Sequence, residues 1–373
     1  MIGLVIVSLA VSLALSLAGT ALVRSWALRH GLVDAPGGHK AHLQPVALGG
    51  GIAIFWSVVL PIAVGLTAAW LFHVRGAPAS VVSLAERLVG ADRFAPLLGG
   101  LIAKTPTALA IMGGAFLLHI VGLIDDRRPL GPGVKLVAEA IAAAVLVIGF
   151  GLRIAEFLGA GLSAVVTILW LVLVTNAMNL LDNMDGLAAG VAVIACGVLA
   201  AAGAANGQIF VPVLCGLLLG AVAGFLPYNF PPASVFMGDA GSLPVGYLLA
   251  VLAVLTTYYD PALYLQPFGF FLPVVVLAVP LYDVTTVLWH RLRAGAPLFV
   301  GDRRHFSHRL TARGLSPRAA VLTIYLATAA TALPATFLPR ATWSTATVVF
   351  AQCVCILLIV AVLEHTGTHD QGK

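Results

Sequence analysis

Four polar residues recur at every third position in NAMNLLDNMDG, a segment that covers residues 176–186 and follows a strongly apolar run. They are two asparagines and two aspartates: Asn176, Asn179, Asp182 and Asp185. On a helix this spacing keeps the four side chains on one slowly drifting face. Such groups are costly beside an apolar run unless they bind something, and their oxygens suit a hard cation, ribose hydroxyls or base edges. The alternative is a helix cap followed by a turn.

Two adjacent carboxylates precede a lysine in GLIDDRRPLGPGVK, residues 122–135. Asp125 and Asp126 can hold a divalent cation, or one can act as a base while the other organises charge. Lys135 opens the next apolar run, where both its charge and a helix N-terminus suit a phosphate. The alternative is a solvated acidic turn that is balanced by two arginines.

A third aspartate stands between glycines in FMGDAGSLPVG, residues 236–246. The glycines permit close approach of a ligand to the backbone. Asp239 is therefore a candidate for the same chemistry, and its alternative role is that of a helix N-cap.

The most basic stretch is GDRRHFSHRL, residues 301–310. Arg303 and Arg304 suit phosphate oxygens, which guanidinium groups bind through two parallel hydrogen bonds. His305 and His308 can donate hydrogen bonds or transfer protons. The alternatives are a pair of histidine metal ligands and an ordinary basic cytoplasmic loop.

Two weaker features complete the set. Residues 31–51 are rich in Gly and Pro and predict an ordered loop that leads into a glycine-packed helix. Asp283 lies inside an apolar run, and an acid within a membrane segment is a functional candidate by default. Its alternative is a buried structural hydrogen bond to His290 or to a Ser or Thr.

The elements that must position these residues follow from composition. The 373 residues are 60% apolar and 9% charged, against about 25% charged in soluble domains. This excludes a water-soluble globular enzyme, a disordered protein and a nucleic-acid-binding domain. Since a spanning helix needs about 20 apolar residues, we predict an all-α polytopic transmembrane helix bundle that forms one domain, residues 1–373. We expect about 11 (10–12) spans, near residues 1–23, 48–72, 107–124, 134–152, 161–178, 186–204, 209–226, 240–258, 266–289, 320–338 and 343–363.

The distribution of charge predicts the topology. With the start of the chain outside, the inside loops hold most of the lysines and arginines, as the positive-inside rule requires. The same loops hold seven aspartates, namely Asp34, Asp125, Asp126, Asp182, Asp185, Asp239 and Asp302. A transport path would place ionisable groups at mid-membrane instead. We therefore expect a cytoplasm-facing site built from loops, and a secondary transporter or flippase remains the alternative from another class.

Carboxylates for a cation, basic residues for phosphates and surrounding lipid together favour phosphoryl transfer, which needs positioning, a metal and cationic stabilisation. The motifs DD, NxxNxxDxxDG and MGDxGSL, followed by a basic His loop, resemble the polyprenyl-phosphate N-acetylhexosamine-1-phosphate transferase family. The resemblance spans about Asp34 to Arg318. It implies transfer of a sugar 1-phosphate from a UDP-N-acetylhexosamine to undecaprenyl phosphate, with release of UMP, in the bacterial inner (cytoplasmic) membrane.

The resemblance also implies Mg²⁺, with Mn²⁺ as an alternative, held by Asn179 and Asp239. Asp125 and Asp126 would orient or deprotonate the lipid phosphate, and direct attack by that phosphate is the favoured mechanism. The candidate catalytic residues are thus Asp125, Asp126, Asp239 and His305. The residues implied to bind phosphate, sugar or nucleotide are Lys135, Asn176, Asp182, Asp185, Arg303, Arg304, His305 and His308.

The His loop departs from the pentapeptide-translocase branch, for which three consecutive histidines are expected. His305-Phe306-Ser307-His308 is more similar to the GlcNAc-1-phosphate branch, and Asn183 stands where Gly is usual. GlcNAc-1-phosphate is therefore the preferred group, and phospho-MurNAc-pentapeptide is the alternative. The expected partners are the lipid acceptor, the UDP-sugar and membrane lipids, without nucleic acid, and a homodimer is an open possibility.

Overall fold

The computed structural model describes residues 2–34, 45–90, 93–256, 267–295 and 305–365. These ranges are almost entirely helical. The helices are α1 (Ile2–His30), α2 (Gly50–Arg75), α3 (Ala79–Val89), α4 (Phe94–Asp125), α5 (Pro132–Ala144), α6 (Ala160–Leu181), α7 (Leu187–Ala205), α8 (Phe210–Asn229), α9 (Asp239–Thr256), α10 (Leu272–Val276), α11 (Ala278–Arg293), α12 (Phe306–Ala312), α13 (Pro317–Ala335) and α14 (Trp343–His365). A π-helical turn (Val145–Gly149) extends α5, and short 3₁₀ turns cover Glu156–Leu158, Pro267–Phe271 and Leu338–Arg340.

Two two-residue strands are the exception to the helical pattern within the described residues. Strands β1 (Val33–Asp34) and β2 (Val46–Ala47) pair antiparallel, and Ala47 also forms a parallel bridge with Val235. Phe236 donates its backbone N–H to the Ala47 carbonyl at 2.9 Å. This small sheet ties the loop before α2 to the loop before α9.

The membrane-spanning elements confirm the predicted all-α polytopic bundle. Among the described residues, ten helices are long and apolar enough to span a membrane, and a bent pair brings the number to eleven. The pair is α10 with its preceding turn and α11, which meet at 65°. The predicted span over residues 266–289 thus corresponds to this bent pair rather than to one continuous helix. Pro280 is the third residue of α11 and has no N–H for the Val276 carbonyl, so the helical hydrogen bonds do not continue from α10 into α11.

The predicted start of the third span also changes. Helix α4 begins at Phe94 rather than near residue 107, and it continues through Pro106. The amphipathic helix α3 precedes it in the predicted long outer loop. The apolar residues around Lys104 are thus part of the helix, and the long outer loop is itself largely helical.

Helix α9 lies at the centre of the bundle. Nearly every one of its residues is buried, and it packs against α2, α4, α6 and α7. Only its first residue, Asp239, carries a charge. The most deeply buried helix therefore begins with an acid at one end of the bundle.

Helices α1 and α8 approach each other closely through small residues. On α8 these are Gly216, Gly220 and Gly224, and a Cβ atom at Gly220 would lie 2.3 Å from the Leu9 carbonyl oxygen. Ser16 on α1 donates a hydrogen bond of 2.5 Å to the Ala221 carbonyl. Such stripes of small residues let backbones touch in a lipid environment, where packing and interhelical hydrogen bonds replace the hydrophobic effect.

The loops that carry the motifs meet at one end of the bundle. The backbone N–H groups of Gly50 and Gly51 donate to the carbonyls of Phe236 and Met237 at 3.0 Å each. Asn229, at the end of α8, accepts a hydrogen bond of 2.9 Å from the Gly186 N–H. These contacts gather the loops around α2, α7 and α9, as the alternating topology predicted.

Candidate active site

Lys135 joins two of the predicted carboxylates. Its Nζ atom lies 2.8 Å from Asp239 Oδ2 and 3.4 Å from Asp125 Oδ2. All three side chains are partly buried, with 16–22% of their surface exposed. Lys135 stands in the first turn of α5, Asp125 at the end of α4 and Asp239 at the start of α9. The structure thus brings three separate helix ends to one ammonium group.

Asn179 completes the other side of Asp239. Its Nδ2 atom donates to Asp239 Oδ1 at 2.9 Å and to Ser242 Oγ at 2.8 Å. The two oxygens of Asp239 therefore face an amide on α6 and an ammonium on α5. The N-cap alternative for Asp239 does not describe this geometry, because the side chain points at neighbouring helices.

Asp126 caps the helix that Asp239 begins. Its Oδ1 atom accepts from the Asp239 N–H at 2.8 Å, and its Oδ2 atom accepts from the Ala240 N–H at 3.2 Å. Asp125 instead accepts from the Leu130 N–H at 2.7 Å, which closes the turn after α4. The two adjacent carboxylates thus have different environments, and neither is the freely solvated acid of the alternative interpretation.

Burial raises the pKa of Asp126 to about 7. The two backbone hydrogen bonds oppose this shift, and the negative charges of Asp239 and Asp125 add to it. Burial is also the main reason that the pKa of Asp182 lies well above its usual range, and the charges of Asp239, Asp126 and Asp185 raise it further. These carboxylates repel one another, so a cation among them would favour their ionised forms.

Glycines allow the helices to approach closely enough for this arrangement. A Cβ atom on Gly122 would lie 2.3 Å from the Asp239 carbonyl, and one on Gly51 would lie 2.2 Å from the Gly241 nitrogen. Gly238 has a φ of +67°, and its Cβ would meet the Asp126 carboxylate at 2.5 Å. The prediction of a glycine-packed helix after residues 31–51 is confirmed by Gly51. Residues 35–44 of that stretch lie outside the described residues.

The Asn and Asp series does not occupy one helical face. Helix α6 ends at Leu181, so Asn176 and Asn179 are helical while Asp182 and Asp185 follow in a turn. The helix stops before the last two members, so the condition for one helical face is not met, and these two residues lie in the turn that the alternative interpretation expects. Asp185 Oδ2 accepts from the Ala233 N–H at 2.8 Å and ties this turn to the loop before α9.

Glu139 is a member of the cluster that the motifs do not reveal. It is 2% exposed, and its Oε2 atom accepts a hydrogen bond from Asn176 Nδ2. Its Oε1 atom is buried and has no hydrogen-bond partner among the residues that the structure describes. It follows Lys135 by four positions and so lies on the same face of α5. An acid within an apolar span is a functional candidate by default, and that signal could have identified it.

His119 is a second residue that sequence reasoning missed. Its Nδ1 atom lies 2.7 Å from the Ala240 carbonyl oxygen, and its ring stacks on Phe55 at 4.2 Å between centroids. It lies on α4 between α2 and α9 and joins the three helices behind Asp126 and Asp239. Its role is therefore to hold the helix ends in place.

The described part of the basic loop lies beside the turn after α6. Ser307 Oγ donates a hydrogen bond of 2.5 Å to Asn183 Oδ1. His305 is buried and its ring lies 6.4 Å from that of the partly buried His308, measured between centroids. His305 Nδ1 lies 2.9 Å from Asp283 Oδ2, so the structure gives Asp283 a different partner from the ones considered from the sequence, His290 or a Ser or Thr. The predicted residues Arg303 and Arg304 lie outside the described residues.

The donor set fits a magnesium site that substrate completes. Within the described residues, no three His, Cys, Asp or Glu side chains lie close enough together to form a metal site alone. Mg²⁺ characteristically binds one or two carboxylates together with waters and substrate phosphates. Asp239 and the Oδ1 atom of Asn179 offer such ligands. Because the neighbouring carboxylates repel one another, a bound cation would reduce this repulsion.

The cluster around Lys135 lies in the part of the chain that matches a known protein family. The sequence model of glycosyl transferase family 4 matches residues 108–257, a range that contains every carboxylate contacted by Lys135. The chain is 31% identical to a protein of Bacillus subtilis named probable undecaprenyl-phosphate N-acetylglucosaminyl 1-phosphate transferase, over 97% of this chain and 92% of that protein.

Two further relatives differ in how much of the chain they match. A decaprenyl-phosphate N-acetylglucosaminephosphotransferase of Mycolicibacterium smegmatis is 33% identical over 82% of this chain and 75% of its own length. A phospho-N-acetylmuramoyl-pentapeptide-transferase of Lacticaseibacillus paracasei is 48% identical over 88 residues, which are 24% of this chain and 27% of that protein. The likeness to the GlcNAc-type relatives thus extends over far more of the chain.

Proposed function

The chain belongs to glycosyl transferase family 4, and we propose that it transfers N-acetylhexosamine 1-phosphate from a UDP-sugar to undecaprenyl phosphate, releasing UMP. GlcNAc-1-phosphate is the proposed group. The names of the relatives that match most of the chain support a polyprenyl phosphate as acceptor and N-acetylglucosamine 1-phosphate as the transferred group. The product is a lipid-linked pyrophosphoryl sugar that starts a cell-envelope glycan.

One observation carries the proposal, namely the Lys135 ammonium held between Asp125 and Asp239 at the ends of three apolar helices. The phosphate of a lipid acceptor lies at the membrane surface, where spanning helices end. A cation beside acidic residues at this depth can receive a phosphate from the lipid side while the loops receive a nucleotide from the water. We place this surface in the cytoplasm, where the positive-inside rule puts these loops.

Mg²⁺, when bound by Asp239 and Asn179, would polarise the phosphoryl oxygens and offset the charge that develops in the transition state. Lys135 would bind the phosphates from the opposite side of Asp239 and add to this stabilisation. Asp125 holds the Lys135 ammonium and orients it toward the acceptor. Asp126 keeps the start of α9, and with it Asp239, in place. The transfer itself would then be an in-line attack by an acceptor phosphate oxygen on the donor's sugar-linked phosphorus. The bond from that phosphorus to the oxygen it shares with the uridine-linked phosphorus breaks, and UMP leaves with this oxygen.

The nucleotide would lie along the turn that follows α6. Asp182 offers carboxylate oxygens, and these suit ribose hydroxyls or a base edge. Asp185 holds the turn against the loop before α9. His305 and His308, together with Arg303 and Arg304, would bind the pyrophosphate or the sugar.

The test is a donor panel with purified protein in detergent or nanodiscs. UDP-GlcNAc, other UDP-N-acetylhexosamines and UDP-MurNAc-pentapeptide are each incubated with Mg²⁺ and undecaprenyl phosphate, and UMP is measured. We expect UMP from UDP-GlcNAc, and none after Asp239→Ala or Asp125→Ala. Glu156→Gln, which removes an exposed carboxylate between α5 and α6, is the matched control and should retain activity.

The same panel decides between the alternatives. UMP release with UDP-MurNAc-pentapeptide alone would assign the protein to the pentapeptide branch. No UMP with any UDP-sugar would contradict the proposed function. Movement of substrate across proteoliposomes without UMP release would instead favour a transporter or flippase.

A further inference from the structure

Asp283 is an acid inside a membrane-spanning helix with both oxygens engaged. It is 1% exposed and lies in α11. Its Oδ2 atom lies 2.9 Å from His305 Nδ1, and its Oδ1 atom accepts a hydrogen bond of 2.7 Å from the Phe306 N–H. Both contacts reach the residues that begin α12, 22 and 23 positions later in the chain.

The two carboxylate oxygens of Asp283 have different roles. The bond to the Phe306 N–H caps α12, because His305 is the N-cap residue and its own side chain makes no cap bond. The bond to the ring selects a tautomer. A carboxylate only accepts hydrogen bonds, so the ring nitrogen that faces it carries the proton. The Nε2 atom of a neutral His305 is then the nitrogen with the free lone pair.

The segment that carries this ring lies beside the turn after α6, residues 182–186, which is proposed to receive the nucleotide. Ser307, two residues beyond His305, is hydrogen-bonded to Asn183, which follows Asp182 directly. His308 lies on the same short helix, with its ring 6.4 Å from that of His305. The start of α12 is therefore docked against the loop that is proposed to receive the UDP-sugar.

We propose that Asp283 is a positioning residue for the transfer reaction, which holds His305 in the Nδ1-protonated tautomer so that Nε2 alone exchanges hydrogen bonds or a proton with the donor. This inference rests on the proposed function for its substrate. Asp283 is not part of the carboxylate cluster around Lys135, and the inference gives this intramembrane acid a role of its own.

The deciding variant is Asp283→Asn. The asparagine Oδ1 atom can still accept from the Phe306 N–H, so the cap on α12 is kept. Its Nδ2 atom can only donate to the ring, which moves the ring proton of His305 to Nε2. We expect kcat to fall about 10- to 100-fold, as for other residues that orient a functional histidine, with a small change in KM.

The matched control is Glu364→Gln. Glu364 is also a buried carboxylate in a membrane-spanning helix, and it anchors α12 by an ion pair of 2.9 Å to Arg309. Glu364→Gln disturbs the attachment of α12 without touching the ring of His305. We expect the tautomer of His305 to be unchanged in this variant and UMP release to stay within a few-fold of wild type.

The readout is the long-range ¹H–¹⁵N spectrum of full-length protein labelled in histidine, with His305 assigned by its loss in His305→Gln. An Nδ1-protonated wild-type ring that inverts in Asp283→Asn, together with the fall in kcat, supports the inference. A wild-type ring protonated at Nε2 overturns it, and this measurement needs only the His305→Gln variant that assigns the signal. If the tautomer of His305 inverts in Asp283→Asn while kcat is unchanged, the inference is also overturned, and the role of Asp283 is then only to cap α12. Absence of UMP from wild-type protein contradicts the proposed function instead, since the tautomer is measured without turnover.

Discussion

Asp126 Oδ1 lies 2.8 Å from the backbone nitrogen of Asp239, although the two residues are 113 positions apart in the chain. The end of α4 therefore caps the start of α9. The carboxylate that the motif suggests for chemistry holds another carboxylate in position. The two adjacent aspartates thus have different roles, since Asp125 contacts Lys135 and Asp126 contacts the backbone of α9.

We expect Asp126→Ala to lower the free energy of unfolding by about 1–2 kcal/mol, because two backbone N–H groups lose their acceptor. Thermal unfolding in detergent measures this change. Asp126→Asn keeps one acceptor and should lose less. An Asp126→Ala variant as stable as wild type would mean that the cap contributes nothing.

Gly122→Ala should separate α4 from α9, because its Cβ would lie 2.3 Å from the Asp239 carbonyl. We expect a loss of about 1–3 kcal/mol in stability from overpacking and a marked fall in UMP release. The matched control is Gly113→Ala on the same helix, where an added Cβ meets nothing within 4 Å. Equal behaviour of the two variants would refute the close-packing argument.

Lys135→Met should reduce kcat about 10²- to 10³-fold, the usual loss when one electrostatic donor to a developing charge is removed. Lys135→Arg should recover part of this activity, because it keeps the positive charge. UMP release against concentration of undecaprenyl phosphate measures both variants. Lys104→Met, which removes an exposed lysine from α4, serves as control and should behave as wild type. Unchanged turnover in Lys135→Met would remove the lysine from the mechanism.

Removal of Mg²⁺ with EDTA should abolish UMP release, and excess Mg²⁺ or Mn²⁺ should restore it. With UDP-GlcNAc present, Mg²⁺ at 100 times its Kd should stabilise the fold by about 2.7 kcal/mol, through preferential binding to the native state. Thermal unfolding with and without the metal measures this. Asp239→Asn should lose most of the effect, and full retention there would place the ion elsewhere.

Glu139→Ala should reduce UMP release about 10- to 100-fold, since it removes the side-chain acceptor of Asn176 Nδ2 and leaves only the Val172 carbonyl. Glu139→Gln keeps an acceptor oxygen for Asn176 and should lose less. The comparison separates the hydrogen bond from the charge. If Glu139→Gln is as impaired as Glu139→Ala, the negative charge near Lys135 is what matters.

The sequence predicts which residues meet better than it predicts how they meet. Apolar runs and the alternation of basic loops place Asp125 and Asp239 at one end of a helical bundle, as the structure has them. Their connection through Lys135 depends on contacts between α4, α5 and α9, which no local pattern encodes. The backbone cap by Asp126 depends on Gly122, whose absent side chain carries no signal in a single sequence.

Three features of the structure differ from the expectations drawn from the sequence, and each difference has a local cause. The spacing of three in Asn176 to Asp185 suggests one helical face, but the chain leaves the helix after Leu181 and the spacing then loses its meaning. The ninth apolar run contains enough apolar residues for one span, and Pro280 interrupts it. Glu139 belongs to none of the motifs, because it is a single acid without neighbouring polar residues in a short helix.

The contact between α1 and α8 sets an order for biosynthesis. Ser16 and its partner Ala221 are 205 positions apart, so at about 5–20 residues per second the ribosome delivers α8 roughly 10–40 s after α1. During that time the Ser16 hydroxyl lacks the Ala221 carbonyl that it contacts in the folded bundle. A serine hydroxyl can bond to a carbonyl of its own helix, as Ser8 does with Val5 at 2.8 Å. The Ser16 hydroxyl can therefore enter the bilayer bonded within α1 before α8 exists, and its contact with Ala221 forms afterwards.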